Sequence, residues 1–260
     1  MPFGLEYSDQ ILLYRAFITR AFRPHALIAV VLLLMSFAVS AKGGAKDWNG
    51  SLGVTSDYVY RGVSSSWERD AYQAGLQMRL GEQWQVGVSA STVETRDNTG
   101  TPIEAIASAS RNWSLSADWQ LRAGYLHHQY FGHRTLYSFD YDELFASASF
   151  RSQLALSVQL SPNAARYRYQ QSPERGLVAA VEVTWLQPLF WEFSGSVGAG
   201  YNDLSSIYGT GYAYGHAALL RDIGPLGLSV MFINTDDHAA YIYGSEITGK
   251  RWAATARWRF

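Results

Sequence analysis

The residues best suited to chemistry in this sequence are charged side chains spaced at even intervals within stretches of small and apolar residues. Side chains an even number of residues apart lie on the same face of a β-strand, so Asp57 and Arg61 would share one face. Rings of fixed charges select ions and solutes inside a pore. By this criterion the candidate pore-lining residues are Asp57, Arg61, Arg79, Glu104, Asp118, Arg122, Glu143, Glu182, Glu192, Arg257 and Arg259.

This assignment places Tyr58 and Tyr60 on the opposite face of the same strand, toward lipid. The alternative interpretation of the charges is an internal salt bridge between the first two strands, for example from Asp57 to Arg79. The candidate residues are mixed in sign, so the sequence predicts no strong preference for cations or anions.

The histidines give little support to catalysis or metal binding. His127 and His128 are adjacent and would face opposite sides of a strand, so they cannot readily share a metal ion even with His133 nearby. Asp236, Asp237 and His238 are interpreted as a solvated loop. We predict no metal and no cofactor, and the chain contains no cysteine for thiolate chemistry.

A second arginine group lies in the predicted loop 161 to 175. Arg166, Arg168 and Arg175 could bind the phosphates of lipopolysaccharide, because the guanidinium group matches phosphate geometry. The simpler interpretation is a hairpin that extends the two flanking strands above the membrane.

Composition excludes several classes of protein. The 260 residues are 48% hydrophobic and 15% aromatic with a formal net charge of −1, which argues against a disordered chain and against a basic nucleic-acid binder. The longest apolar run, Ala26 to Ala41, follows Arg15, Arg20 and Arg23 and ends in small residues. We interpret residues 1–41 as a secretory signal peptide cleaved after Ala41, rather than as a membrane anchor.

After residue 42 the dominant pattern is strict alternation of apolar and polar residues, which indicates β-strands. Twelve strands are predicted, at roughly 50–60, 71–80, 84–92, 103–112, 118–129, 141–150, 154–160, 176–186, 190–201, 211–220, 226–234 and 251–260. Strands of about ten residues suit a tilted crossing of a bilayer. The connections alternate between short and long, as in barrels with short periplasmic turns and long extracellular loops.

Three features favour a transmembrane barrel over a soluble sandwich. The polar face is mainly Gly, Ser, Gln and Thr, and the tryptophans flank the short connections as an interfacial girdle would. The last strand places arginines on one face and Trp252, Ala254, Ala256, Trp258 and Phe260 on the other. Arginine facing lipid at the bilayer midplane costs about 2 to 4 kcal/mol, so the aromatic face must be the outer one. An aromatic last residue resembles the signal read by the outer-membrane barrel assembly machinery.

The segment Ser56-Asp57-Tyr58-Val59-Tyr60-Arg61-Gly62-Val63-Ser64 resembles the signature of a family of exported bacterial proteins, the TorF-type porins, also called the Gcw_chp family. Ser56, Asp57, Tyr58, Arg61 and Gly62 are the signature positions that carry the resemblance. The resemblance implies an outer-membrane barrel with channel function. Together with the predicted signal peptide, we expect Sec-type export to the outer membrane of a Gram-negative bacterium.

The sequence therefore predicts an all-β, closed, antiparallel transmembrane barrel spanning residues 42–260. The leading functional hypothesis is passive diffusion of small hydrophilic solutes, with lipids, lipopolysaccharide and the assembly machinery as partners. One alternative is a non-conducting structural or adhesive barrel. Another is a lipid hydrolase or protease that uses His127 or His128 with Ser138 or Asp140.

Overall fold

The structure, a computed structural model, describes residues 48–94, 102–132, 139–166 and 174–260. The predicted signal peptide, His133, Ser138 and Arg168 lie outside these residues. No helix in the described ranges is long and apolar enough to cross a membrane.

Twelve antiparallel strands form a closed barrel, as the sequence predicts. Closure comes from pairing of the first strand with the last, in a register from Ser51 opposite Arg259 to Thr55 opposite Thr255. The strands are β1 (Trp48–Thr55), β4 (Ala71–Leu80), β5 (Trp84–Thr92), β6 (Ile103–Ser114), β7 (Trp119–Phe131), β8 (Tyr141–Phe150), β9 (Leu154–Ala165), β10 (Arg175–Pro188), β11 (Phe193–Asp203), β12 (Tyr212–Ile223), β13 (Leu226–Thr235) and β14 (Arg251–Arg259).

Among the described residues, four short elements lie outside the barrel wall, and the alternation pattern predicts neither the hairpin nor the two helices. Between β1 and β4 lies a hairpin of β2 (Val59–Tyr60) and β3 (Val63–Ser64). Helices α1 (Ser205–Tyr208) and α2 (Asp237–Tyr243) lie in two of the long connections. The Asp236 carboxylate caps α2 by accepting hydrogen bonds from the backbone N–H groups of His238 and Ala239, which gives this acidic loop a structural role.

The barrel has a short-turn end and a long-loop end. At the short-turn end, residues 81–83, 115–118, 151–153, 189–192 and 224–225 connect the strands. Two of these turns contain consecutive left-handed residues, Arg151 with Ser152 and Trp191 with Glu192. Tight turns with such residues match the right-handed twist of paired strands.

The outer wall of the barrel is apolar. Leu154, Leu156, Val158 and Leu160 on β9 are each 39 to 50% exposed, while the residues between them point inward. Trp84, Trp119, Trp185 and Trp258 are exposed near the short-turn end, and Tyr72, Tyr125 and Tyr201 are exposed near the long-loop end. Two aromatic levels on an apolar wall are the interfacial belts of a membrane barrel.

The C-terminal strand has the predicted orientation. Trp252 and Trp258 are exposed on the outer wall at 67% and 48%. The Phe260 ring lies edge-on to Trp48, with ring centroids 6.3 Å apart. Arg251, by contrast, is buried, as expected for the inward face of β14.

The interior differs between the two ends. Near the long-loop end a hydrophobic cluster of Val178, Leu204, Ile207, Tyr212, Tyr214 and Ala239 joins strands β10 and β12 to both helices. Near the short-turn end the inward side chains Gln77, Asn112, Gln120 and Arg257 are exposed to solvent. The barrel is therefore filled at one end and hydrated at the other.

The inward and outward assignment predicts opposite effects of one substitution at two adjacent positions. Leu156→Arg would place a charge in hydrocarbon and cost about 2 kcal/mol of folding free energy, whereas Ser157→Arg would place it in the hydrated lumen at little cost. The free energy of unfolding of both variants is measured by denaturant titration in lipid vesicles, with heat-modifiable gel migration as the readout of folded protein. Equal destabilisation of the two variants would contradict the assignment.

Candidate functional site

The family signature forms a hairpin that turns into the barrel. After Thr55 the chain leaves the wall, so the predicted first strand, 50–60, is too long at its C-terminal end. Arg61 and Gly62, with φ values of 49° and 83°, form the two-residue turn between β2 and β3. Two consecutive left-handed residues are the requirement of a type I′ turn, which glycine meets without strain.

The lumen hairpin, residues 56–66, has its tip packed tightly against strands β12 and β13. A Cβ atom on Gly62 would lie 2.6 Å from Cγ2 of Thr235 and 2.7 Å from Cβ of Tyr214. The Tyr212 hydroxyl on β12 donates a hydrogen bond of 3.0 Å to the Arg61 carbonyl oxygen. The hairpin therefore has room only for glycine at its tip.

The Arg61 side chain reaches β8 and pairs with Glu143. Nη2 of Arg61 lies 2.6 Å from Oε2 of Glu143, and the two side chains are only 9% and 2% exposed. The hydroxyls of Tyr60 and Ser161 donate to the same carboxylate oxygen at 3.2 and 3.4 Å. Because the hairpin leaves the barrel at β1 and touches both β8 and β12, it crosses the lumen.

A second carboxylate, Glu104 on β6, anchors the hairpin to the opposite side of the lumen from β12. It accepts hydrogen bonds from the hydroxyls of Tyr58 at 2.8 Å and Tyr130 at 2.7 Å, and from Nδ1 of His128 at 3.0 Å. Nδ1 must carry the proton, since a carboxylate only accepts. Burial, followed by the charge of Glu104, raises the pKa of the Tyr58 phenol, so the group remains a neutral donor.

The base of the hairpin is held by Asp57. Its Oδ2 lies 3.4 Å from Nη1 of Arg251, with both side chains 3% exposed, and its Oδ1 accepts from the hydroxyls of Ser64 and Ser66. The alternative pairing of Asp57 with Arg79 is therefore wrong. Arg251 is a site residue that sequence reasoning left out of the candidate set, although alternation in the last strand had placed it on the inward face.

The two tyrosines of the signature are also corrected. Tyr58 and Tyr60 lie inside the barrel and hydrogen-bond to Glu104 and Glu143, whereas alternation predicted that they face lipid. The prediction failed because the hairpin keeps the period of a strand after the chain has left the barrel wall.

The remaining predicted pore-lining residues fall into two groups. One group, Glu182, Arg79, Arg122, Arg257 and Arg259, lies on inward positions of the wall, and Glu182 accepts a hydrogen bond of 2.7 Å from the Tyr214 hydroxyl. Asp118 and Glu192 instead lie in short turns, where Asp118 is 3.0 Å from Nε of Arg151 and Glu192 is 3.9 Å from Nη2 of Arg221. Both carboxylates lie just before the observed starts of β7 and β11, which the alternation pattern predicts slightly too early.

The arginines of the β9–β10 connection that the structure describes have protein partners. Arg166 pairs with Glu174 at 3.3 Å, and Nη1 of Arg175 donates to the carbonyl oxygens of Asp140 and Asn163, each at 2.7 Å. These contacts agree with the simpler interpretation of this segment as a hairpin extension.

The two adjacent histidines face opposite sides of β7, as predicted. His128 is buried inside, stacked on Tyr141 at a centroid distance of 4.2 Å. His127 lies on the outer wall with Nδ1 2.8 Å from Oδ1 of Asp142, which also accepts a hydrogen bond from the Tyr125 hydroxyl. Among these residues no group of three or more acidic or histidine side chains has the arrangement of a metal site.

The docking of Gly62 can be tested with a matched glycine. Gly62→Ala introduces both a strained left-handed alanine and a clash, whereas Gly81→Ala introduces the same strain at a φ of 69° with no atom within 4 Å of the new Cβ. We expect Gly81→Ala to lose about 1 kcal/mol and Gly62→Ala to lose clearly more. Denaturant unfolding in detergent measures both, and equal losses would show that the hairpin tip is not docked.

Comparison with solved structures finds membrane barrels. The chain is similar to the NanC porin, with a TM-score of 0.52 and 12% identity, covering 81% of this chain and 98% of that one. It is also similar to the KdgM porin in complex with disordered oligogalacturonate, with a TM-score of 0.50 and 7% identity, covering 82% and 99% of the two chains. Outer membrane phospholipase A from Escherichia coli also matches, with a TM-score of 0.44 and 13% identity, covering 82% and 91%.

At these identities the similarity to the two porins shows a shared fold alone. No curated protein sequence matches the chain. A family model described as a bacterial protein of unknown function matches residues 41–258, which include the lumen hairpin, the first eleven wall strands and β14 as far as Trp258. The chain therefore belongs to the Gcw_chp family of bacterial proteins.

Proposed function

We propose that this protein is an outer-membrane channel for passive diffusion of small hydrophilic solutes, the activity implied by its resemblance to the TorF-type porins. One observation carries the proposal. The closed barrel has an apolar outer wall and a polar, solvent-exposed interior at its short-turn end, where Gln77, Asn112, Gln120 and Arg257 face the lumen. A barrel used only as a scaffold has no need of a hydrated interior.

The lumen hairpin is the constriction of this channel. Twelve strands lie between the eight whose lumen side chains fill and the sixteen or more that leave a wide aqueous pore. The hairpin adds the buried Arg61–Glu143 and Asp57–Arg251 pairs to the long-loop half. Passage of solutes therefore depends on how far these contacts narrow the lumen.

Export and orientation follow the same proposal. Residues 1–41 act as a Sec signal peptide, the short turns face the periplasm of a Gram-negative cell, and the aromatic face of β14 is read by the barrel assembly machinery. The chain order supports this orientation, because both ends of the barrel, Trp48 and Arg259, lie at the short-turn end.

The constriction can be tested by removing one ion pair without leaving a buried charge. The double variant Arg61→Ala with Glu143→Gln removes the ion pair that holds the hairpin to β8, and we expect roughly a twofold rise in single-channel conductance in planar bilayers. The matched control, Arg69→Ala with Glu94→Gln, removes a pair in which Arg69 is half exposed, and should leave conductance unchanged. Folded wild-type protein and variants that all stay silent would refute the channel.

A second candidate function has one observation in its favour, the His127–Asp142 pair on the outer wall. A histidine paired with a carboxylate can act as a general base toward a lipid ester, yet among the described residues no serine or threonine hydroxyl is hydrogen-bonded to His127. We therefore expect no fatty-acid release from phospholipid vesicles by the wild-type protein. Release that disappears in His127→Ala but not in His238→Ala would make the protein a lipid hydrolase.

A further inference from the structure

Charged side chains that face the lumen are sorted along the barrel axis. In the long-loop half each carboxylate has a cationic or hydrogen-bonding partner, since Glu143 is matched to Arg61, Asp57 to Arg251, and Glu104 to His128. These groups are almost fully buried. Their charges are therefore already compensated within the protein.

The short-turn half, by contrast, carries an excess of positive charge. Its inward charged positions on the described strands are Arg79, Arg122, Arg257, Arg259 and a single carboxylate, Asp222. Asp222 forms an ion pair with Arg259, in which Oδ1 of Asp222 lies 3.0 Å from Nη1 of Arg259. Arg79, Arg122 and Arg257 have no carboxylate within ion-pair distance in the part of the chain that the structure describes.

These three arginines, here called the basic arc, are distributed over one half of the lumen wall. They lie on β4, β7 and β14, which belong to six consecutive wall strands in the order β14, β1, β4, β5, β6, β7. Small or uncharged inward residues, including Gly75, Gly87, Ser108 and Ser110, line the wall between them. The opposite wall carries Glu182 at mid-height, where the hydroxyls of Tyr214 and Thr184 already donate to it.

The guanidinium groups of the basic arc are available to a solute. Arg79 and Arg257 are exposed to solvent, and the contacts of Arg122 and Arg257 are with neutral oxygens, Oγ of Ser110 and Oε1 of Gln73. Two of the nearby turn carboxylates face other cations, Asp118 facing Arg151 and Glu192 facing Arg221, while Glu82 is exposed on its turn. A cleft lined by charge of one sign with low-dielectric walls focuses the field within it.

From this arrangement we propose that the short-turn half of the lumen is a binding vestibule for small polyanions that carry phosphate or carboxylate groups. Guanidinium groups bind both oxyanions through paired, charge-assisted hydrogen bonds. The inference rests on the proposed channel function and adds to it the charge class of the solute. Inorganic pyrophosphate serves as the probe.

Two measurements test the vestibule with one pair of matched variants. The lumen variant is Arg79→Gln with Arg122→Gln and Arg257→Gln. The control variant, Arg111→Gln with Arg151→Gln and Arg221→Gln, loses the same charge, but Arg111 and Arg221 lie on outward wall positions and Arg151 lies in a turn. Heat-modifiable migration establishes that both are folded.

In planar bilayers with asymmetric KCl, the wild-type reversal potential should show preference for chloride, and the lumen variant should lose it while the control keeps it. In detergent, titration calorimetry should detect pyrophosphate binding that weakens about tenfold in the lumen variant and little in the control. The binding should also weaken with added salt, as screening of exposed charges requires.

The outcomes separate the vestibule from the channel. Conductance without anion preference, or equal changes in both variants, overturns the vestibule and leaves the channel standing. Silent bilayers with pyrophosphate binding that depends on the basic arc end the channel and support the vestibule as a binding site. Silent bilayers with no binding, or with binding equally reduced in both variants, refute both.

Discussion

Satisfaction of backbone hydrogen bonds in hydrocarbon is the constraint from which the rest of this structure follows. A strand whose peptide groups face lipid without partners costs several kcal/mol per group, so a sheet can cross a bilayer only as a closed barrel. Here closure depends on five residue pairs between β1 and β14. Once the sheet is closed, every second side chain must face lipid and the others must face an enclosed space, so the sidedness of each strand is fixed by its register.

The lumen hairpin fills part of the interior space that the closed barrel encloses. A twelve-stranded barrel has more interior than its small inward side chains can fill. Each signature residue has a role in docking the hairpin: Ser56 accepts a hydrogen bond from Ala254 N–H, Asp57 binds Arg251, Tyr58 binds Glu104, Arg61 binds Glu143, and Gly62 fits against Tyr214. The sequence signature by which the chain resembles the family is therefore the set of residues that positions this hairpin in the lumen.

Periodicity predicted the wall and could not predict what fills it. The strands, their antiparallel order and the outward tryptophans follow from a period of two over segments long enough to span a bilayer. The same period misled at Tyr58 and Tyr60, because an extended segment alternates whether or not it belongs to the barrel wall. The partner of Asp57 lies 194 residues away in Arg251, and no local pattern encodes which inward cation on a later strand meets it. Orientation of β12 was equally open from sequence, since Ala213 to Leu220 is apolar on both faces.

The difference between paired charges in the filled half of the barrel and unpaired arginines in the hydrated half follows from hydration. In the filled half, an isolated charge would cost more free energy than folding can supply, so each charged group there sits against a partner. In the hydrated half, water stabilises an unpaired arginine, and the protein can carry an excess of positive charge without losing stability. The electrostatic potential in the hydrated half is then set by its arginines, even though the sequence as a whole is nearly neutral, with a formal net charge of −1. The net charge of the sequence therefore does not predict the electrostatic field inside this barrel, because its positive and negative charges lie in environments of different polarity.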